Sequence, residues 1–323
     1  MAKPTMIYAG IDTGKYKLDV AIDGSAEQLQ VDNTPEGYKV LSDWLRGHRV
    51  KRVGIEASGA YEQAVVVELR RKRFVVVMFQ PAQVRAYARF KGQRAKNDRI
   101  DAALIAACTA AVKTVHAAPD PRLLPFARRL TMIDQVGEDI ARLKNRLESC
   151  RDARIQQIWK EDLARLEKRK SAELKTLAAA IRAHRDLARR LDLICSVNGA
   201  GLPTAVAILV RMPEIGKVSR EQAAALAGLA PYPDDSGERE GGRHIEGGRE
   251  RLRRALYAAA LPASMRWNPR LIALYKRLIA AGKQHKRALV ACARKLLIFV
   301  NTVVARGTPW QSEAPPAAMT ATA

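Results

Sequence analysis

The chain has 323 residues, and 48% of them are hydrophobic, which is enough for two or three domains with real cores. It carries 56 Lys and Arg against 33 Asp and Glu, a formal net charge of +23 that favours a polyanionic partner such as nucleic acid, although a ribosomal or merely basic protein has the same balance. The four cysteines form no CxxC pair, so they suggest neither a zinc cluster nor a disulfide framework, and no apolar run predicts a signal peptide or membrane span. We expect a soluble, unsecreted protein of the reducing cytosol.

The first 115 or so residues alternate between strand-like and helix-like patterns. Three strands of a meander are predicted first, at 6–12, 17–23 and 28–32. The segments predicted after them are a helix from Pro35 to Gly47, a strand at 52–57, a helix at about 61–72, a strand at 74–80 and a helix that begins at Pro81. The order β-β-β-α-β-α-β-α predicts an α/β domain, to which we assign residues 1–124.

Residues 125–190 change to long helical stretches rich in Arg, Lys, Glu, Ala and Leu. Leucines and isoleucines recur there at heptad-like spacing with charges between them, which favours an extended helical hairpin or coiled coil. One long solvated helix within a bundle explains the same pattern equally well.

A second compact, mainly helical region is predicted at 191–310, followed by a tail at 311–323 whose composition predicts disorder. Its sequence LICSVNGAGLPTAVAILV (193–210) is similar to a helix-hairpin-helix motif. In that motif a glycine-containing turn exposes backbone N–H groups at a helix N-terminus toward a phosphate. Close packing alone also explains a Gly-x-Gly turn between helices.

Acidic residues stand at the ends of predicted elements in the first region. Asp12 ends the first strand, Glu56 ends the fourth, and Asp98 and Asp101 open the last helix three residues apart. Neighbouring strand ends lie close together in an α/β sheet, and a helix packed across them can add further carboxylates. Each acid alone fits a turn or a helix cap, but the joint pattern favours a ribonuclease-H-like site for one or two Mg²⁺ or Mn²⁺ ions.

Basic side chains surround these acids in the sequence and would contact a phosphate backbone near the metal. Basic loops are common in a chain of this charge, so the pattern is unspecific by itself. The candidate nucleic-acid contacts of this region are Lys15, Lys91, Arg94, Lys96 and Arg99.

Seven motifs, in this order along the chain, together resemble one known family. They are GIDTGKYKLDVA (10–21), IEASGAYE (55–62), KNDRIDA (96–102), SVNGAG (196–201), LAGLAPYPDDSG (226–237), GGRERLRRALY (247–257) and the helical stretch at 268–297. The chain resembles the DEDD-type transposases of bacterial insertion sequences, now described as bridge-RNA-guided recombinases, from Ile7 to about Trp310. The resemblance implies a RuvC-like catalytic domain in which Asp12, Glu56, Asp98 and Asp101 are the DEDD carboxylates.

The resemblance also gives a role to Ser236, which matches the catalytic serine of the family's C-terminal domain. Read alone, a Ser before Gly in a polar loop is a turn residue. A serine hydroxyl that attacks a phosphodiester would form a phosphoserine intermediate and conserve the bond for religation. His244 is a possible general base, although a lone His beside arginines more often belongs to the polar surface. The arginines that would bind the scissile phosphate and its flanks are Arg239, Arg243, Arg249, Arg253 and Arg254.

The resemblance implies partners as well. A non-coding guide RNA would pair with donor and target DNA, so that base pairing reads sequence while the protein binds shape and backbone. The helical segment 125–190 would mediate a homodimer or homotetramer, and the protein would be cytoplasmic and associated with the nucleoid.

Three other functions fit parts of the sequence. A metal-dependent nuclease or junction resolvase would use water as the nucleophile and leave Ser236 incidental. An ATPase of the actin and sugar-kinase type fits GIDTGK, but it also requires a second glycine-rich phosphate loop in a duplicated domain, and the sequence has none there. A non-catalytic DNA-binding protein would use the hairpin and the basic surface alone.

Overall fold

The computed structural model describes residues 6–57, 59–93, 98–115, 118–232 and 244–311. The chain divides into two compact units, an N-terminal unit of residues 1–121 and a C-terminal unit of residues 122–323.

The N-terminal unit is built on a five-stranded mixed sheet. Its strands are β1 (Ile7–Thr13), β2 (Lys17–Ile22), β3 (Gln28–Asp32), β4 (Val50–Glu56) and β5 (Val75–Phe79). The sheet order is β3-β2-β1-β4-β5, with the first three strands antiparallel and with β4 parallel to both β1 and β5. The predicted α/β fold with a leading meander is confirmed.

Helices cover both faces of this sheet. They are α1 (Pro35–Gly47), α2 (Gln63–Arg71), α3 (Pro81–Phe90) and α4 (Asp98–Ala111). Leu41 and Leu45 of α1 and Leu69 of α2 are fully buried in the larger core on one face. On the other face, α3 and α4 contribute Val84 and Ile105 to a smaller core. Ile11 of β1 packs into the larger core, on the side of α1 and α2. Its neighbours Gly10 and Asp12 therefore face the opposite side, where α4 lies.

Two glycines let α4 lie almost directly on the sheet. Gly10 of β1 and Gly54 of β4 are register partners. A Cβ at Gly10 would lie 2.2 Å from the backbone nitrogen of Ala106, and one at Gly54 would lie 1.8 Å from the Thr109 hydroxyl oxygen. Arg52 of β4 donates to the Val112 carbonyl at 2.6 Å and so binds the C-terminal end of the same helix. Since the C-terminal end of α4 lies at the start of β4, the N-terminal end of α4 lies toward the C-terminal ends of β1 and β4.

The C-terminal unit opens with a helical hairpin. Helices α5 (Leu123–Ser149) and α6 (Ala153–Arg182) are joined at Asp152, whose side chain caps α6 by accepting from Arg154 and Ile155. Of the two arrangements that the heptad pattern allowed, the structure has the hairpin. The base of the hairpin, including Leu130 and Ile181, is part of the C-terminal core, so these helices do not stand apart from it.

The rest of the C-terminal unit is mainly helical, as predicted. Its elements are α7 (Arg185–Cys195), α8 (Leu202–Arg211), α9 (Arg220–Leu226), a two-stranded ladder of β6 (Pro231–Tyr232) and β7 (His244–Ile245), α10 (Glu250–Pro262), a π-helical turn (Ala263–Trp267), α11 (Pro269–Ala280) and α12 (His285–Arg306). Within the described ranges, α12 alone is long and apolar enough to cross a membrane. Because 56% of its apolar stretch is buried inside the unit, it is a core helix by packing.

Candidate active site

Asp12 and Glu56 occupy equivalent places on adjacent parallel strands. The β1–β4 register pairs Gly10 with Gly54 and Ile11 with Ile55, so the next position on each strand is a carboxylate. Residues two apart on a strand share a face, and Gly10 and Gly54 both face α4. Asp12 and Glu56 therefore project from the same edge of the sheet toward the side that α4 covers.

The first turn of α4 supplies the other two acids of the predicted set. Asp98 begins the helix, and its side chain lies outside the described part of the structure. Asp101 is half-buried next to Ala102, which is buried against the sheet: the Ala102 carbonyl oxygen lies 2.3 Å from where a Gly10 Cβ would be. The close approach at Gly10 thus brings Asp101 to the end of the sheet where Asp12 and Glu56 stand.

The charge of Glu56 affects the pKa of a thiol on α4. Burial, and after it the negative charge of Glu56, raises the pKa of the Cys108 thiol to about 11. Cys108 is buried on α4 in the smaller core. The Glu56 carboxylate therefore acts on the helix side of the sheet, in agreement with the strand register.

A fifth carboxylate, Asp19, lies on this face and was not among the predicted residues. Asp19 of β2 is the register partner of Asp12, and directly opposed residues of antiparallel strands project from the same face. It is only 8% exposed, and its Oδ1 accepts a 2.8 Å hydrogen bond from the Gln30 side chain. Lys17 donates to Gln30 in turn, so a polar row runs across β2 and β3 beside Asp12.

Asn33 ties together the two loops that follow the acid-bearing strands. Its side-chain nitrogen donates to the Gly14 carbonyl at 2.9 Å and to the Tyr61 carbonyl at 3.2 Å. Its backbone nitrogen donates to the Tyr16 carbonyl, and its side-chain oxygen accepts from the Tyr38 hydroxyl. Asn33 therefore holds the loop after Asp12 against the loop after Glu56.

The donor set suits a hard divalent cation. All the candidate ligands are carboxylates on strands or a helix, and Mg²⁺ and Mn²⁺ prefer such oxygen ligands and usually retain waters. Among the side chains that the structure describes, no three acidic, His or Cys groups lie close enough together to hold a metal ion. Asp12, Glu56 and Asp101 have the oxygen donors that such an ion prefers, and the side chain of Asp98 lies outside the described residues.

Two predicted basic contacts lie on the described surface of the N-terminal unit. Lys15 lies over the ring of Tyr16, 4.9 Å from its centroid, and Lys91 lies 5.7 Å from the ring of Tyr87. Tyr16 itself is 71% exposed in the turn that follows Asp12. Arg94, Lys96 and the side chain of Arg99 lie outside the described residues.

The predicted nucleophile Ser236 also lies outside the described residues, together with Arg239 and Arg243. The two residues that flank segment 233–243 are described: Tyr232 of β6 and His244 of β7 are register partners. Tyr232 and His244 are therefore adjacent, and His244 is exposed.

Three predicted phosphate-binding arginines have partners within the C-terminal unit. Arg249 makes a two-pronged ion pair with Glu214, at 2.6 and 2.7 Å. Arg253 donates to the Gly247 carbonyl at 2.6 Å, and Arg254 donates to Glu138 at 2.7 Å. These side chains stabilise α10 in its place, a role that the sequence could not reveal because Glu138 and Glu214 are distant along the chain.

Two family models match the chain, in the order of its two halves. A DEDD transposase model named for the IS110 element matches residues 9–155, and a model described as the transposase IS116/IS110/IS902 family matches residues 191–276. The chain belongs to the IS110-type family of DEDD transposases. Members of this family cut and rejoin DNA, so the chain is a DNA-processing enzyme with DNA as its substrate.

Curated relatives agree with the family. Pilin gene-inverting proteins of Moraxella bovis and Moraxella lacunata are 24% and 25% identical over 321 residues, covering 94% of this chain and 97% of each relative. An uncharacterized 43.6 kDa protein of insertion element IS110 from Streptomyces coelicolor is 32% identical over 125 residues, or 38% of this chain and 31% of that protein. The RuvC structure of Thermus thermophilus covers 35% of this chain and 84% of its own, at 20% identity and a TM-score of 0.24.

Proposed function

We propose that this transposase is a site-specific recombinase in which Asp12, Glu56, Asp98 and Asp101 hold Mg²⁺ or Mn²⁺ and Ser236 is the nucleophile. The observation that supports the metal site best is the contact of α4 with the Gly10–Gly54 pair: Asp101 adjoins Ala102, whose carbonyl oxygen approaches Gly10, two residues before Asp12. A bound divalent ion would polarise the scissile phosphate and stabilise the charge that develops on it.

In the proposed reaction the Ser236 hydroxyl oxygen attacks the phosphorus. The bond from this oxygen to phosphorus forms, the bond to one sugar oxygen breaks, and that oxygen leaves as a protonated hydroxyl. The phosphoserine intermediate keeps the energy of a phosphodiester, so a hydroxyl from another strand end can displace the serine. Cutting and rejoining then require no external energy source.

The proposed contacts to the DNA backbone divide by region. Lys15 follows Asp12 on the described surface, Lys91 lies beside Ile100 of α4, and Arg94, Lys96 and Arg99 adjoin Asp98 in sequence. Arg239 and Arg243 follow Ser236 in sequence. We also propose that Arg249, Arg253 and Arg254 contact DNA in addition to their observed partners. A guanidinium has five donors, so it can bind two partners at once.

A guide RNA and self-association complete the proposal. The net charge of +23 supports binding of RNA as well as DNA, and a guide would supply the sequence specificity that a basic surface lacks. The α5–α6 hairpin exposes Ile155 and Ile158 on its outer part, which supports its use in a dimer or tetramer. We place this activity in the cytoplasm, at the nucleoid, where the DNA substrate is.

Replacement of Ser236 by Ala tests the nucleophile. Full-length protein is incubated with element-end DNA and Mg²⁺, and the products are separated under denaturing conditions before and after protease digestion. The proposal predicts protein-linked DNA with the unmodified chain, none with Ser236→Ala, and none with Asp101→Asn. Sequencing of co-purified RNA tests the guide, and recovery of no specific RNA would contradict it.

A second function, a junction-resolvase-like endonuclease, is favoured by the carboxylate site itself, since that site could equally activate water. It predicts that Ser236→Ala still cuts DNA and that no protein-linked product forms at any time. Asp101→Asn would abolish cutting in both cases, so the Ser236 variant decides between them.

A further inference from the structure

A surface cavity of about 570 Å³ lies in the C-terminal unit, between the α7–α8 turn and the π-helical turn. Its walls include Asn198, Gly199, Gly201, Arg266 and Trp267. All the side chains that line it are neutral except that of Arg266. Arg266 is therefore the charged member of the lining, and its charge suits an anionic ligand.

The two walls are held to each other by specific contacts. Asn268 is 1% exposed; its side-chain nitrogen donates to the Asn198 carbonyl at 2.8 Å, and its oxygen caps α11 by accepting from Leu271. Gly199 has a φ of 101°, and a Cβ on it would lie 2.4 Å from the Cβ of Ala263. The backbone at Arg266 and Trp267 is thus held beside the glycine turn.

The Trp267 ring is 58% exposed at the rim, although an indole of this size is normally well buried. Trp310, by contrast, packs on Phe299 with ring centroids 4.6 Å apart. Trp267 is the last residue of the π-helical turn, and single π turns inside helical regions are frequent at functional sites. An exposed ring beside a cation is the arrangement on which unpaired bases stack.

The α8 end of the cavity suits a phosphate. Gly201 is the N-cap residue and makes no side-chain cap, and Pro203 has no N–H, so the first turn of α8 offers the N–H groups of Leu202 and Thr204. Such groups, together with the helix dipole, bind anions, and Arg266 adds a full positive charge from the opposite wall.

We propose that this cavity binds one unpaired nucleotide, with the phosphate between Arg266 and the start of α8 and the base stacked on Trp267. A duplex hides the faces of its bases, so the site selects single-stranded segments of DNA or RNA over duplex DNA. The inference rests on the proposed nucleic-acid chemistry of this chain, but it is independent of the carboxylate site and of Ser236.

Exposed apolar side chains nearby allow a competing occupant. Leu261 and Met265 are 44% and 42% exposed close to Trp267 in sequence, and a second copy of the chain could cover them. The charge of the cavity favours a nucleotide, because a protein surface seated on Arg266 would need an acidic group to match it.

The test measures fluorescence anisotropy of full-length protein with three labelled probes: a short oligothymidine, an oligouridine and a duplex of equal length. Trp267→Ala and Arg266→Gln are expected to weaken single-strand binding about tenfold and to leave duplex binding nearly unchanged. Trp267→Phe is expected to restore most of the affinity, since it keeps a stacking face. Leu261→Ala is the matched control, and it removes an exposed apolar side chain without removing an aromatic ring. The tighter of the two single-stranded probes identifies DNA or RNA as the source.

Unaltered single-strand binding by Trp267→Ala would overturn the proposal, as would an equal loss for single strands and duplex. If Trp267→Ala changes the oligomeric state in size-exclusion chromatography but not oligonucleotide binding, the exposed side chains Leu261, Met265 and Trp267 belong to an interface with a second copy instead. Asp101→Asn separates this site from the proposed activity: it should lose cleavage but retain single-strand binding. Thermal unfolding of each variant shows that it is folded.

Discussion

Asp12 and Asp19 face each other directly across the antiparallel strands β1 and β2. Directly opposed side chains have Cβ atoms about 5 Å apart, and two like charges at that distance destabilise the sheet. Asp19 is nearly buried and already accepts from Gln30, so the pair is placed where a cation would relieve its repulsion.

Replacement of Asp19 by Asn should therefore raise the stability of the metal-free protein and lower its response to metal. Asn keeps an acceptor for Gln30 but removes one charge, so we expect a gain of a few tenths to about 1 kcal/mol without metal. The added stability on saturation with Mg²⁺ should be smaller than in the unmodified chain. Thermal unfolding with and without Mg²⁺ measures both. Asp23→Asn, an exposed acid after β2, is the control, and a destabilised Asp19→Asn with a full metal response would contradict the account.

Replacement of Gly10 by Ala should displace α4 and with it the metal site. The added Cβ would meet the Ala106 backbone, which cannot move without the helix, so we expect a loss of about 3 kcal/mol and of metal-dependent cleavage. Gly54→Ala should cost less, because its nearest obstacle is the Thr109 side chain. Denaturant unfolding measures the stabilities.

Gly47→Ala is the matched control for these variants. A Cβ at Gly47 meets nothing within 4 Å, so this variant should be neutral or slightly stabilising. Normal cleavage by Gly10→Ala would show that close packing of α4 is not needed to assemble the carboxylates.

Replacement of Asn33 by Asp should loosen the two loops beside the carboxylates. An ionised Asp keeps the acceptor for Tyr38 but cannot donate to the Gly14 and Tyr61 carbonyls, and each lost bond is worth about 1 kcal/mol. We expect faster hydrogen exchange at residues 14–16 and 59–62 together with slower cleavage. Exchange that changes in only one of the two loops would show that Asn33 does not couple them.

A pH-dependent prediction concerns Glu138 in the C-terminal unit. The hydrogen bond from Arg254, and the charges of Arg251 and Arg254, lower the pKa of Glu138. A lowered pKa in the folded state stabilises the protein above the unfolded value of about 4.3, and this contribution is lost as pH falls through the folded pKa. Glu138→Gln should therefore reduce the melting temperature at neutral pH and have less effect in acid. An equal reduction at both pH values would contradict the ion pair as the cause.

Much of the N-terminal unit follows from sequence because alternation and terminal acids are local signals. Asp12 and Glu56 could be predicted from their places at strand ends, and Asp98 and Asp101 from their helical spacing. Asp19 could not, since its position opposite Asp12 depends on strand register, and inside KLDVAI it reads as one polar residue of an alternating strand.

The remaining features depend on contacts that are distant along the chain. The partners of Arg249 and Arg254 lie 35 and 116 residues away, so their ion pairs leave no local pattern. The π-helical turn that ends at Trp267 has no sequence signature of its own. The sequence contains Gly10 and Gly54, but it does not show that the two glycines pair across β1 and β4 or that α4 packs against them.

The measurement that tests the central claim most directly is binding of Mn²⁺ to the full-length protein, followed by electron paramagnetic resonance. The account predicts that the unmodified chain binds Mn²⁺ and that Asp12→Asn and Asp101→Asn each reduce the affinity at least about tenfold, while Asp162→Asn on the outer hairpin leaves it unchanged. Equal Mn²⁺ binding by the unmodified chain, Asp12→Asn and Asp101→Asn would contradict the carboxylate metal site.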